Sequence, residues 1–114
     1  MGSPRVAWVW IALACALLEP AAGAEIGAAR ETELQHMLSH DCGACHGMRL
    51  SGGLGPPLTA AALSDKSSTA LAAIIRHGVP GTPMPPWEAL LSADEARWLA
   101  DFIKGIEPGR STDQ

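Results

Sequence analysis

The chain has 114 residues, of which 47% are hydrophobic and 18% charged, and a net charge of −4 at neutral pH. That length suits one domain, and an acidic balance without any basic run argues against a nucleic-acid-binding protein.

At the N-terminus Arg5 is the only charge before an apolar run from Val6 to Leu18, and Glu19, Pro20 and the small-residue stretch 21–25 follow. This is the layout of an export signal. Ala22 and Ala24 stand where a signal peptidase reads small residues, so cleavage is expected after Ala24, leaving residues 25–114 as the mature domain. A retained membrane anchor is the alternative, but the apolar run is shorter than the roughly 20 residues a helix needs to cross a bilayer. Lipidation of Cys15 is a further alternative, which the preceding residues 12–14, without a leucine three positions upstream, do not favour. The membrane is therefore expected to be met only through the uncleaved signal. Loss of Arg5 and Glu19 leaves the net charge unchanged, and loss of Cys15 leaves Cys42 and Cys45 as the cysteines of the mature chain.

In the mature chain Leu34, Met37 and Leu38 recur at helical spacing behind the acidic Glu31 and Glu33, which predicts a helix from Ala28 to about Asp41 running into CGACH. Residues 48–59 combine glycines with Pro56 and Pro57 and read as a tight loop, with a turn of helix at 59–63 as an option after it. A middle helix is expected over 68–78, with Leu71, Ile74 and Ile75 on one face, Ser68 as N-cap and Gly78 as stop. Prolines 80, 83, 85 and 86 make 79–87 an extended, stiff loop around Met84. The last helix opens on a capping box, Ser92 with Glu95, and places Trp98, Leu99, Phe102 and Ile103 on one face before Gly105 and Pro108 end it. The tail 109–114 is expected to fray. No strand period and no repeat appears, so the fold class is all-α: three or more short helices with Gly/Pro-rich loops around one interior.

Chemistry concentrates in CGACH, residues 42–46, the attachment pattern for c-type haem. Two thiols at this spacing can form thioethers to the two vinyl groups of one porphyrin while His46 turns toward the iron. Zinc would need further ligands at regular spacing, and a thioredoxin-like redox pair would need βαβ patterning; both are lacking. A structural disulfide is the other reading of the pair, and export, the following His46 and a mature chain otherwise free of cysteine favour haem over it. A haem would also supply interior apolar contact to a mature domain that is marginal by size.

The sixth iron position needs a second donor, and Met37, Met48, His36, His40, His77 and Met84 are the candidates. Met48 is two residues beyond His46, a reach of about 7 Å, too short to round the macrocycle. Met37 shares a face with Leu34 and Leu38 and reads as core. His36 and His40 are expected to face solvent. Met84, in its proline-braced loop, is the favoured ligand, with His77 as runner-up; a histidine at that helix end also serves as a C-terminal charge on the helix dipole. His/Met ligation fills the coordination sphere and favours ferrous iron, which points to an electron carrier and away from an enzyme.

Across CGACH, GGLGPPL, PGTPMPPW and LSADEARWLADF the chain resembles the class I cytochromes c, and over most of 40–103 it is similar to the small NirC-type cytochromes found beside haem-cd nitrite reductase. The resemblance implies one covalent haem c on Cys42 and Cys45, His46 and Met84 as axial ligands, and the Pro56 carbonyl accepting from His46, with neighbouring Pro57 as the competing carbonyl. It implies crossing of the first and last helices, with Trp98 and Phe102 as core aromatic contacts, Trp87 near the haem edge, and an exposed haem edge. The function it implies is a monomeric periplasmic single-electron carrier, a donor in the nitrite reductase system of denitrification. An accessory role in maturation of that reductase is the alternative, and a haem sensor or enzyme with a labile sixth ligand is a third. The expected partner is a redox protein, steered through the negative charge.

Overall fold

The computed structural model describes residues 1–2 and 25–105. The expected export signal with its cleavage site and Cys15, as well as Pro108 and the tail 109–114, lie outside the described residues.

Helix α1 spans Ala28–Met37. The chain stays helical beyond it but widens into a π-turn over Leu38–Cys42, then tightens into the short α2, Gly43–His46. The sequence reading expected one uniform helix here. In an α-helix positions 34, 38 and 42 drift round the axis, because four residues overshoot a turn. The wider turn reverses that drift. Leu34 and Leu38 are buried, and Leu38 and Cys42 face the same interior cavity.

Helix α3 covers Ser68–His77 and α4 covers Ala93–Ile103. Among the described residues the architecture is all-α, as the composition pattern led us to expect, and no helix is long and apolar enough to cross a membrane. The expected cap of α3 shifts by one residue: Ser67, in extended backbone, accepts from the Ala70 amide at 3.1 Å, while Ser68 is the first helical residue and is buried. Two adjacent serines look alike in sequence, and only the one that stays outside the helical backbone can cap.

The core joins Leu34 and Leu38 to Leu63, Leu71, Leu91, Ala96, Trp98, Leu99 and Ile103. Helices α3 and α4 form the larger interface; α1 meets α4 over a smaller one. Trp98 is buried and stacks on Phe102 with ring centroids 5.1 Å apart, but Phe102 is 39% exposed. The expectation of two core aromatics is therefore corrected for Phe102, which lies one turn further along and at the edge of the apolar arc.

Arg30 ties α1 to the start of α4: its Nε donates to Glu95 at 2.6 Å, and it also reaches Glu33 and the Leu90 carbonyl. Glu95 closes the capping box by accepting from the Ser92 amide at 2.8 Å. The Arg30 guanidinium, and secondarily the Ser92 amide, hold the Glu95 carboxyl below its usual range. A depressed carboxyl stabilises the fold above its unfolded pKa, and that contribution disappears as pH falls through the folded value. Glu95→Gln is thus expected to cost about 1 kcal/mol at neutral pH. The difference from wild type should narrow in acid, which thermal unfolding between about pH 3 and pH 7 will check.

Candidate functional site

Helix α2 ends at His46, and the loop after it hangs from that end by backbone hydrogen bonds. Gly52 donates to the His46 carbonyl at 2.9 Å and Gly55 to the Cys45 carbonyl at 2.7 Å. These bonds carry Pro56 over the imidazole, and His46 Nδ1 lies 2.7 Å from the Pro56 carbonyl oxygen. A carbonyl only accepts, so Nδ1 carries the proton and the Nε2 lone pair is left for another partner. Of the two adjacent prolines, it is Pro56 that makes this contact.

Gly55 is why the loop can approach so closely. A Cβ there would lie 2.8 Å from both Cε1 and Nδ1 of His46. Gly55→Ala is expected to destabilise the fold by about 1–3 kcal/mol through overpacking against the ring. Denaturant unfolding checks this, with Gly27→Ala, whose Cβ meets nothing within 4 Å, as the control.

The Met84 loop is organised by the few donors its prolines leave. Val79 donates to the Met84 carbonyl at 3.2 Å. The Thr82 hydroxyl donates to the Val79 carbonyl at 2.7 Å and accepts from the Met84 amide at 3.3 Å. The Trp87 amide returns the chain to α3 through the Arg76 carbonyl at 3.0 Å.

Between the two loops lies a cavity of about 580 Å³ that brings together Cys42, Cys45, His46, Pro56, Met84 and Trp87. Its remaining wall is largely aliphatic, including Leu38, Leu71, Ile75, Leu99 and Ile103. Leu54 at 80%, Val79 at 39% and Ile74 at 36% exposure border it, apolar side chains that a flat apolar ligand would cover. Cys42 and Cys45 are free thiols, and burial, with Asp41 as a second cause, pushes the Cys42 thiol up, toward its neutral form. Two free thiols, an imidazole with an available nitrogen and a thioether sulfur in an apolar slot fit a haem c.

The other candidates lie elsewhere. His77 is 61% exposed and sits 3.5 Å from the Glu88 carboxylate, outside the cavity lining. His36 and His40 are exposed and stack on each other with centroids 4.0 Å apart. Met48 is 65% exposed, and Met37 packs against the core without lining the cavity. Sequence reasoning missed the π-turn, Gly55 as a close-approach site, the bracing by Thr82, and Lys66 on the cavity wall. Gly55, beside the double proline, was the one with a legible signal.

The family model described as cytochrome c oxidase, cbb3-type, subunit III matches residues 29–103. Cytochrome c55X of Paracoccus denitrificans is 51% identical over 80 residues, covering 70% of this chain and 78% of that protein. The solved c-type cytochrome NirC superposes with a TM-score of 0.69 at 52% identity, covering 70% of this chain and 94% of NirC. The chain belongs to the small class I c-type cytochromes of the NirC type. A second solved structure, dihydro-heme d1 dehydrogenase NirN in complex with DHE, aligns at 30% identity with a TM-score of 0.58, over 65% of this chain and 16% of NirN. As a class I c-type cytochrome the chain binds haem c covalently and carries electrons, and its all-α fold around one cavity is that of the class.

Proposed function

We propose that haem c is attached through Cys42 and Cys45, with His46 and Met84 as axial ligands and the Pro56 carbonyl orienting His46, and that the cytochrome is a periplasmic electron donor in the nitrite reductase system. The observation that carries this reading is the meeting of both thiols, one imidazole and one thioether sulfur in a single apolar cavity. When bound, haem c supplies a one-electron ferric/ferrous couple. The protein's own part is to hold His46 in one tautomer, to present the Met84 sulfur from a braced loop, and to keep the site largely apolar. The resemblance to the NirC-type cytochromes supports placing the carrier beside nitrite reductase, and the apolar run with its small-residue boundary at Ala22 and Ala24 supports export and cleavage after Ala24.

The test has two parts. Haem should stay with the exported protein through acid and organic-solvent denaturation; haem that washes out refutes the attachment at Cys42 and Cys45. The reduced protein should then pass electrons to haem-cd nitrite reductase in stopped-flow mixing, more slowly as salt rises.

A second reading, an accessory role in maturation of the reductase's haem, is favoured by the likeness to NirN, a dihydro-heme d1 dehydrogenase. Deletion of the cytochrome separates the two. A pure donor leaves the reductase's cofactor content intact, whereas a maturation factor lowers it.

A further inference from the structure

Two charged residues, Asp41 and Lys66, line the cavity, and they have opposite signs. Haem c carries its attachment points, the two former vinyl groups, on one side of the macrocycle and its two propionate carboxylates on the other. Attachment at Cys42, next in sequence to Asp41, would keep the vinyl side beside that carboxylate and leave the propionates to the other side. The remaining charge on the wall is the Lys66 ammonium. We propose that Lys66 receives a haem propionate and thereby sets the reduction potential of this cytochrome, an inference that rests on the haem reading given above.

The surroundings of Lys66 suit this task. Its side chain is 43% exposed, so it stands at the rim, where a carboxylate can keep part of its hydration. Its backbone is placed by the bond from its amide to the Leu63 carbonyl at 3.1 Å, and Leu63 is in the core. In the structure Nζ lies 3.1 Å from the Asp65 carboxylate, which is 72% exposed. Such a solvent-exposed pair contributes little and yields readily to a better-placed acceptor. The Lys104 ammonium donates to the Lys66 carbonyl, adding a second cation at the same rim. Asp65, Lys104 and the other charge of the lining, Asp41, are thus the charges that act with Lys66.

The sign of the effect follows from Coulomb's law. Reduction lowers the charge of the haem by one, so a cation beside it favours the ferrous form, and its removal favours the ferric form. Lys66 touches the cofactor's periphery rather than the iron, and its influence is read in the potential, not in the ligand field.

Potentiometric titration of the holoprotein tests this with Lys66→Arg, Lys66→Gln and Lys66→Glu. At the wild-type midpoint the ferrous/ferric ratio should fall by about threefold in Lys66→Gln and about tenfold in Lys66→Glu, the latter equal to about 59 mV for one electron. Lys66→Arg should stay near wild type, and Asp41→Asn should shift the ratio the other way. Arg97→Gln removes the same charge outside the cavity lining and marks what net charge alone produces. A Lys66→Gln protein with native spectrum and a shift no larger than that of Arg97→Gln overturns the inference and leaves the haem reading intact. A wild-type protein without covalent haem overturns both.

Discussion

Met84→Ala is expected to keep its haem, lose the weak far-red ferric iron-to-sulfur band, and lower the reduction potential on the order of 0.2 V, a fraction of the roughly 0.8 V that axial ligation spans. The thioethers proposed at Cys42 and Cys45 would be independent of the sixth ligand, so attachment should survive. The potential should drop because a thioether sulfur favours ferrous iron, and an alanine leaves water or an added ligand in its place. Ferric and ferrous spectra beside the wild type, with added imidazole or carbon monoxide, make the measurement. A variant whose spectra match wild type would sink the assignment of Met84 and send the search to another donor. His77 would then have to leave its place by Glu88 and move from the surface into the cavity. The expectation therefore discriminates between a methionine that lines the cavity and a histidine that does not.

Gly78→Ala should produce a large loss of stability for a single added methyl. Gly78 has φ +68 and ψ −171, a backbone region that is essentially reserved for glycine. A Cβ there would stand 2.7 Å from both the Met84 carbonyl oxygen and the Pro85 carbonyl carbon. Backbone strain and steric contact together are expected to cost about 3 kcal/mol or more. The damage should fall on function as well, because Gly78 is the joint at which α3 turns into the Met84 loop. We expect a lowered thermal midpoint together with partial loss of the far-red band, the second showing that the loop has moved. A variant that is destabilised yet keeps the full band would mean that the loop relaxes without displacing Met84.

Both expectations depend on features that differ in how legible they were. CGACH names its own chemistry, because two thiols and an imidazole at that spacing match one porphyrin edge and one iron. The capping box at Ser92 and Glu95 and the apolar stripe of α4 are local patterns, and the helix they predict is present. The dense prolines of 79–87 likewise forbid regular structure whatever the surroundings. Gly78 was readable as a helix stop, but its close contact with Met84 and Pro85 was not, since those residues meet it only after the loop has doubled back. The cap at Ser67 rather than Ser68 turned on which serine remains extended, a matter of where α3 docks.

By itself, then, the sequence determined the covalent chemistry available, the helical class of the chain and the position of its stiff loop, because each depends on residues adjacent along the chain. Tertiary structure decided which groups share a cavity. It placed Met84 and Trp87 on the wall and His77 outside, brought the Pro56 carbonyl to His46, and set Lys66 against Asp41 as the charges of the lining. Those relations depend on the π-turn, on loop bonds to the end of α2, and on the packing of α3 against α4. Spacing along a chain carries no information about them, because distances across a cavity are fixed only when every segment around it has docked.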